Sequence, residues 1–179
     1  MIALAETFSI SSETDADVAA RDALLDRAMG ANWRRKSSEK LRRGRLPAVA
    51  LIARDRSGAV VGTVRLWQAA AGESACLLLG PLAVSPDFQG AGLGSALMRA
   101  AIEAAQALGH GAVMLVGDAA YYARFGFSAA LTGNLAMPGP FEKHRLLALE
   151  LRSGALAGAS GILKPTGRKL AAEPVRKAA

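Results

Sequence analysis

The chain is short of the residues from which cross-links and metal centres are made: one cysteine, Cys76, and two histidines, His110 and His144, in 179 residues. A single thiol excludes an intramolecular disulfide framework, and two histidines without ligand spacing do not complete a metal cluster, so no metal is expected. Cys76 lies in an apolar run, where a free cysteine behaves as a small buried hydrophobe. The opening MIALAETFSI lacks the basic start and long apolar run of a signal peptide, and no uninterrupted apolar stretch approaches a membrane span. A cytoplasmic protein is expected. Lysine is absent between Lys40 and Lys143, which removes the Gly-Lys-Ser/Thr loop and with it ATP or GTP binding by that route.

What is present suits one domain, since 179 residues with 51% apolar can bury one sizeable core but hardly two. Lysine and arginine number 22 against 15 acids, a net charge of +7, and the excess is uneven. Arg34 to Arg45 holds seven basic residues and only Glu39, and Lys164 to the end holds five and one acid. Such patches attract nucleic acid or acidic partners. No aromatic interleaving or nucleic-acid motif accompanies them here, so specific nucleic-acid binding is not expected. Residues 153–179, rich in Gly, Ala, Lys and Arg, read as a loosely packed tail after a domain of residues 1–152.

Local patterns give the elements. Phe8 to Ile10 reads as a strand, and Asp15 to Met29 as a helix with Val18, Leu25, Ala28 and Met29 on one face. Ser37 to Gly44 reads as a short capped helix stopped by glycine. Ala48 to Ala53 and Val60 to Gln68 are strand-like runs around the Asp55-Arg56-Ser57-Gly58 turn. Ala75 to Val84 is a third strand in which Gly80-Pro81 predicts a distortion, because proline cannot donate to a ladder and glycine marks bulges. A helix then carries Leu93, Ala96, Leu97, Ala100, Ala104 and Leu108 on one face. Ala112 to Val116 is a buried apolar strand, and Leu146 to Leu151 a final one.

Between the third strand and its helix lies Gln89-Gly90-Ala91-Gly92-Leu93-Gly94, with three alternating glycines at a helix start. Backbone N–H groups there approach an anion with no Cβ in the way. A dinucleotide fingerprint does not fit, because Ser95 stands where its third glycine or alanine belongs and strands precede the turn.

Gln89-x-x-Gly92-x-Gly94 resembles the Arg/Gln-x-x-Gly-x-Gly/Ala signature of the GNAT acyl-CoA N-acyltransferases. Leu115-Val116-Gly117-Asp118-Ala119-Ala120-Tyr121-Tyr122-Ala123-Arg124-Phe125-Gly126-Phe127 is similar to the family's second landmark, a strand, a short tyrosine-bearing helix and a closing Gly-Phe. The resemblance implies an α/β (α+β) GNAT fold: a mixed, mainly antiparallel sheet splayed near its middle, with helices on both faces. It implies acetyl-CoA as donor and an amine, small or on a protein, as acceptor, and leaves a homodimer open.

It also implies site residues. Leu82, Ala83 and Val84 would hold the pantetheine arm along the bulged strand, and Gln89, Gly90, Ala91, Gly92, Leu93, Gly94 and Ser95 the pyrophosphate. Asp118 replaces the asparagine many relatives carry and either accepts a pantetheine amide or caps the next helix. Tyr122, four residues before Gly126, is the candidate acid, with Tyr121 an equally available hydroxyl; both would border the cofactor. A phenol of pKa about 10 is still protonated at neutral pH and so can donate. Arg124 reads as an exposed helix arginine. Glu73, Glu142 and His144 are conceivable bases, none singled out by spacing. Two further readings stand beside the enzyme: a non-catalytic acyl-CoA-binding module of this fold, and a nucleic-acid-associated protein acting through its basic patches.

Overall fold

The computed structural model describes residues 7–171. Strands β1 (Phe8–Ser12), β2 (Val49–Asp55), β3 (Val60–Ala71) and β4 (Ser74–Val84) form an antiparallel meander. Asp55 Oδ1 closes the β2–β3 turn by accepting from Ser57 N at 2.9 Å and Ala59 N at 3.0 Å. β5 (Ala112–Val116) joins β4 in parallel, and β7 (Leu146–Glu150) pairs antiparallel with β5. With β9 (Lys164–Pro165) on β3, the sheet has seven strands among the described residues. β6 (Leu135–Ala136) and β8 (Gly161–Ile162) form a separate parallel pair.

Both faces of the sheet are covered, and alternation along the strands shows why. Leu77, Leu79, Val113, Leu115 and Leu147 point to one face, where α3 (Leu93–Ala107) packs. Cys76, Leu78, Ala112, Met114, Leu146 and Ala148 point to the other, against Leu41 and the C-terminal segment. The α3 stripe differs by about one position from the expected face: Leu93, Leu97, Met98, Ala101 and Ala105 are fully buried, while Leu108, past the last helical turn, is 59% exposed.

The first helix also differs. Thr14 N and Oγ1 donate to Asp17 (2.8 and 2.9 Å) and open a 3₁₀ turn, Asp15–Asp17, before α1 (Val18–Met29) begins. Leu24, Leu25 and Arg21 are buried, whereas Val18 and Ala28 are exposed. The buried stripe contains a charge, Arg21 paired with Glu13 at 2.9 Å, which apolar periodicity does not register. A 3₁₀ turn over Ala31–Arg35 leads to α2 (Glu39–Arg42), shorter than the helix expected there.

The segment from Ser153, expected to be loose, is packed as far as it is described. Leu156 and Leu163 are buried in the second core, and β8 and β9 tie the segment to β6 and β3. Glu150 accepts from Leu156 N at 2.8 Å and Gly154 N at 3.1 Å, and Leu46 N donates to Arg168 O at 2.9 Å. Glycine and alanine permit the close approach. A Cβ on Gly72 would stand 2.7 Å from Ser160 O, and one on Gly111 2.9 Å from Ala155 Cβ. The composition that suggested looseness fits a strap lying flat on a sheet.

Candidate active site

The distortion foreseen in β4 is present: Val64 faces Leu82 and Leu66 faces Leu79, so Gly80 and Pro81 stand opposite Arg65 alone. Gly80 O accepts from Trp67 Nε1 at 2.9 Å, which fixes the bulge. β4 and β5 pair only at Leu77–Val113 and Leu78–Met114. Beyond that point they diverge, and a cavity of about 880 Å³ opens between them.

Leu79, Gly80, Pro81 and Leu82 form one wall, and Leu115, Val116 and Gly117 the other. Asp118, Tyr121 and Tyr122, at the head of α4 (Ala119–Ala123), close one end. The far side is built by Met29, by Lys36 to Ser38 with Arg42, and by Met137 with the loop Pro140 to Glu142 and Arg145. Ser37 Oγ donates to Pro140 O and links these two segments.

The structure separates the expected cofactor residues into two groups. Leu82, Asp118, Tyr121 and Tyr122 line the cavity; Ala83, Val84 and the turn Gln89 to Ser95 do not. Ala83 packs with Leu25 and Trp33 and lies opposite Thr63 in the β3–β4 ladder, so its side chain does not reach the splay. The glycine turn lies beside the tyrosine end, a Cβ on Gly94 standing 3.4 Å from Tyr121 Oη and 3.7 Å from Val84 Cγ2. Gly92 is the N-cap of α3 with φ +79°, and a Cβ there would meet nothing within 4 Å. Neither a side-chain cap nor an acid occupies the first turn of α3, so its N–H groups are open to an anion. Leu93, fully buried, anchors the turn from beneath.

Asp118 caps α4, its Oδ1 accepting from Tyr121 N at 3.0 Å. Tyr122 packs edge-on to Tyr121 (centroids 4.9 Å) and to Phe127 (6.1 Å). Its ring also covers Gly117, where a Cβ would stand 2.9 Å from Tyr122 Cδ2. Burial pushes the Tyr122 hydroxyl above its ordinary pKa; Tyr121 and Asp118 add to the rise and Arg145 opposes it. Arg124 is exposed, stacked 4.0 Å from the Tyr121 ring centroid. The Cys76 thiol is pushed up to about 12 by burial and is inert at neutral pH.

Of the three side chains considered as bases, Glu142 reaches the cavity. His144 is exposed outside it, 3.4 Å from Glu142, and Glu73 lies at the β3–β4 turn. Sequence reasoning missed Gly117, Lys36, Ser37, Arg42 and Arg145 as site residues. Gly117 stands inside the tyrosine landmark without having been singled out there; the neighbours of the other four carry no motif, and only the packing of residues 36–42 against 137–145 brings those four to the cavity.

Among the described residues no helix is long and apolar enough to cross a membrane, and no three His, Cys, Asp or Glu side chains gather as a metal site. The family model described as Acetyltransferase (GNAT) family matches residues 18–127. The N-acetyltransferase YhbS of Escherichia coli K12, itself named uncharacterized, is 30% identical over 157 residues, 87% of this chain and 94% of that protein. The solved structure of E. coli YhbS, in complex with CoA, superposes with a TM-score of 0.79 at 29% identity, covering 90% of this chain and 91% of the other. A GNAT family acetyltransferase from Brucella melitensis, in complex with acetyl-CoA, gives a TM-score of 0.57 at 25% identity over 80% of this chain and 96% of its own.

Proposed function

The chain belongs to the acetyltransferase (GNAT) family, and from that premise we propose that it moves an acetyl group from acetyl-CoA to a primary amine, with Tyr122 as the acid serving the departing sulfur. The observation that carries this reading is the splay of β4 from β5 with the Tyr122 ring against Gly117 at its edge. The CoA complexes of the two structural relatives support the donor.

Bound acetyl-CoA supplies an activated thioester. Past Leu79 the β5-facing edge of β4 has no strand partner among the described residues, so amides of the Leu82 to Val84 segment serve the pantetheine arm. An amide beside the reacting carbonyl stabilises the negative charge that develops there. The open first turn of α3 takes the pyrophosphate, and the bare Cα of Gly92 admits it closely. Glu142, on the acceptor side, receives the ammonium proton directly or through water. Tyr122 keeps its proton through neutral pH and delivers it to the departing thiolate, while the nitrogen's second proton passes to solvent as the amide forms and solvent reprotonates the phenolate.

The test is CoA-thiol release from acetyl-CoA in the presence of primary amines. Tyr122→Phe is expected to lower kcat by about a hundredfold to ten-thousandfold, the range of a positioned acid. Undiminished kcat in that variant would remove Tyr122 from the role.

A further inference from the structure

We propose that Arg42 selects an acceptor bearing a carboxylate beside its primary amine, an inference that rests on the acetyl-transfer reading above. Arg42 is only 6% exposed yet lines the cavity. Its Nε donates to Glu39 Oε2 at 2.6 Å and its Nη2 to Trp33 O at 3.5 Å, while no partner of Nη1 stands among the described residues. Nη1 lies 4.0 Å from where a Cβ on Gly80 would stand, so it faces the bulge of β4 at the reacting end. A desolvated guanidinium held along two edges and open on the third is a preorganised donor for an anion.

Charge and size narrow the class. Lys36, Arg42 and Arg145 meet Asp118 and Glu142 among the lining residues, and Glu39, paired with Arg42 from behind, brings the surroundings close to neutrality, which disfavours a dianionic phosphate relative to a monoanionic carboxylate. The cavity of about 880 Å³ must also hold the thiol end of the donor, so the acceptor is small. Its carboxylate on Arg42 would leave the amine between Gly80 and Glu142.

The experiment compares acetylation of the standard α-amino acids with that of their α-carboxamides, after calorimetry has shown that the protein binds CoA. For the acceptors used, kcat/KM for the acid is expected to exceed that for the amide by about tenfold to a hundredfold, the value of one charge-assisted hydrogen bond. Arg42→Gln should bring that ratio close to one, chiefly through KM, and Arg42→Lys should restore part of it. A ratio near one in the unaltered protein, acetylation of amides alone, or of none of the panel despite CoA binding, overturns the carboxylate. A preference that survives Arg42→Gln overturns the assignment to Arg42. Absence of CoA binding instead defeats the acetyl-transfer reading beneath it.

Discussion

Tyr122 does its proposed work only if its ring stays where Gly117 lets it lie. A methyl group on Gly117 would overlap the ring edge and come 3.2 Å from Leu115 Cδ1, so either the ring or the β5 end must shift. Gly117→Ala is therefore expected to cost about 1–3 kcal/mol of stability, as overpacking does, and to lower kcat in the direction of Tyr122→Phe. Thermal unfolding and steady-state kinetics check both parts; an unchanged kcat would mean that the hydroxyl is not positioned by this contact. The raised pKa of Tyr122 has its own consequence. Because the protonated form is the active one, no loss of kcat from this group is expected below the ordinary phenol range of about 10. The place of Tyr122 at the cavity was legible because it stands four positions before Gly126 within a landmark. Arg42 was not, since it stands in a run of basic residues whose individual directions depend on a helix of one turn.

Among the elements, α3 combines a buried stripe with an open N-terminus, and Gly92 serves the second. With φ +79°, Gly92→Ala meets no atom within 4 Å but adopts a left-handed conformation at a cost of about 1 kcal/mol. Its larger expected effect is on CoA affinity, because the new methyl projects into the space an incoming phosphate needs. Calorimetry on the folded variant separates the two, and unaltered affinity would place the pyrophosphate elsewhere. The junction after α1 makes a different prediction. Asp26 accepts from Trp33 Nε1 at 2.8 Å and from Arg34 Nη1 at 2.7 Å, and these bonds, Trp33's foremost, hold its carboxyl below the usual range. A depressed folded pKa stabilises above the unfolded value of about 3.9 and ceases to do so as pH falls through the folded value. Asp26→Asn should thus be less stable than the parent at pH 7, with the gap closing under acid; a gap independent of pH would contradict the bond.

At the scale of the molecule, the sheet owes one of its covers to residues that composition marked as a tail. Leu163, 1% exposed, packs with Cys76, Leu78, Met114 and Leu146 on the face opposite α3. Leu163→Ala is expected to cost about 2–5 kcal/mol, a fall in Tm of roughly 4–20 °C. A shift of less than a degree would mean that the strap is not a structural cover. The β2–β3 hairpin, the bulge at Gly80-Pro81 and the order of β4, glycine turn, α3 and β5 were readable because each is written in neighbouring residues. The strap was not, since its burial depends on two leucines 7 positions apart meeting a face made by distant strands. The individual residues of the acceptor side escaped the sequence for the same reason. The donor side is where the central claim stands, and calorimetric titration with CoA, acetyl-CoA and ATP at low and high salt tests it most directly. A CoA site built from backbone amides and the splay predicts binding of CoA and acetyl-CoA that persists at high salt and is not shared by ATP. Absence of binding, or equal and salt-sensitive binding of all three, would contradict it.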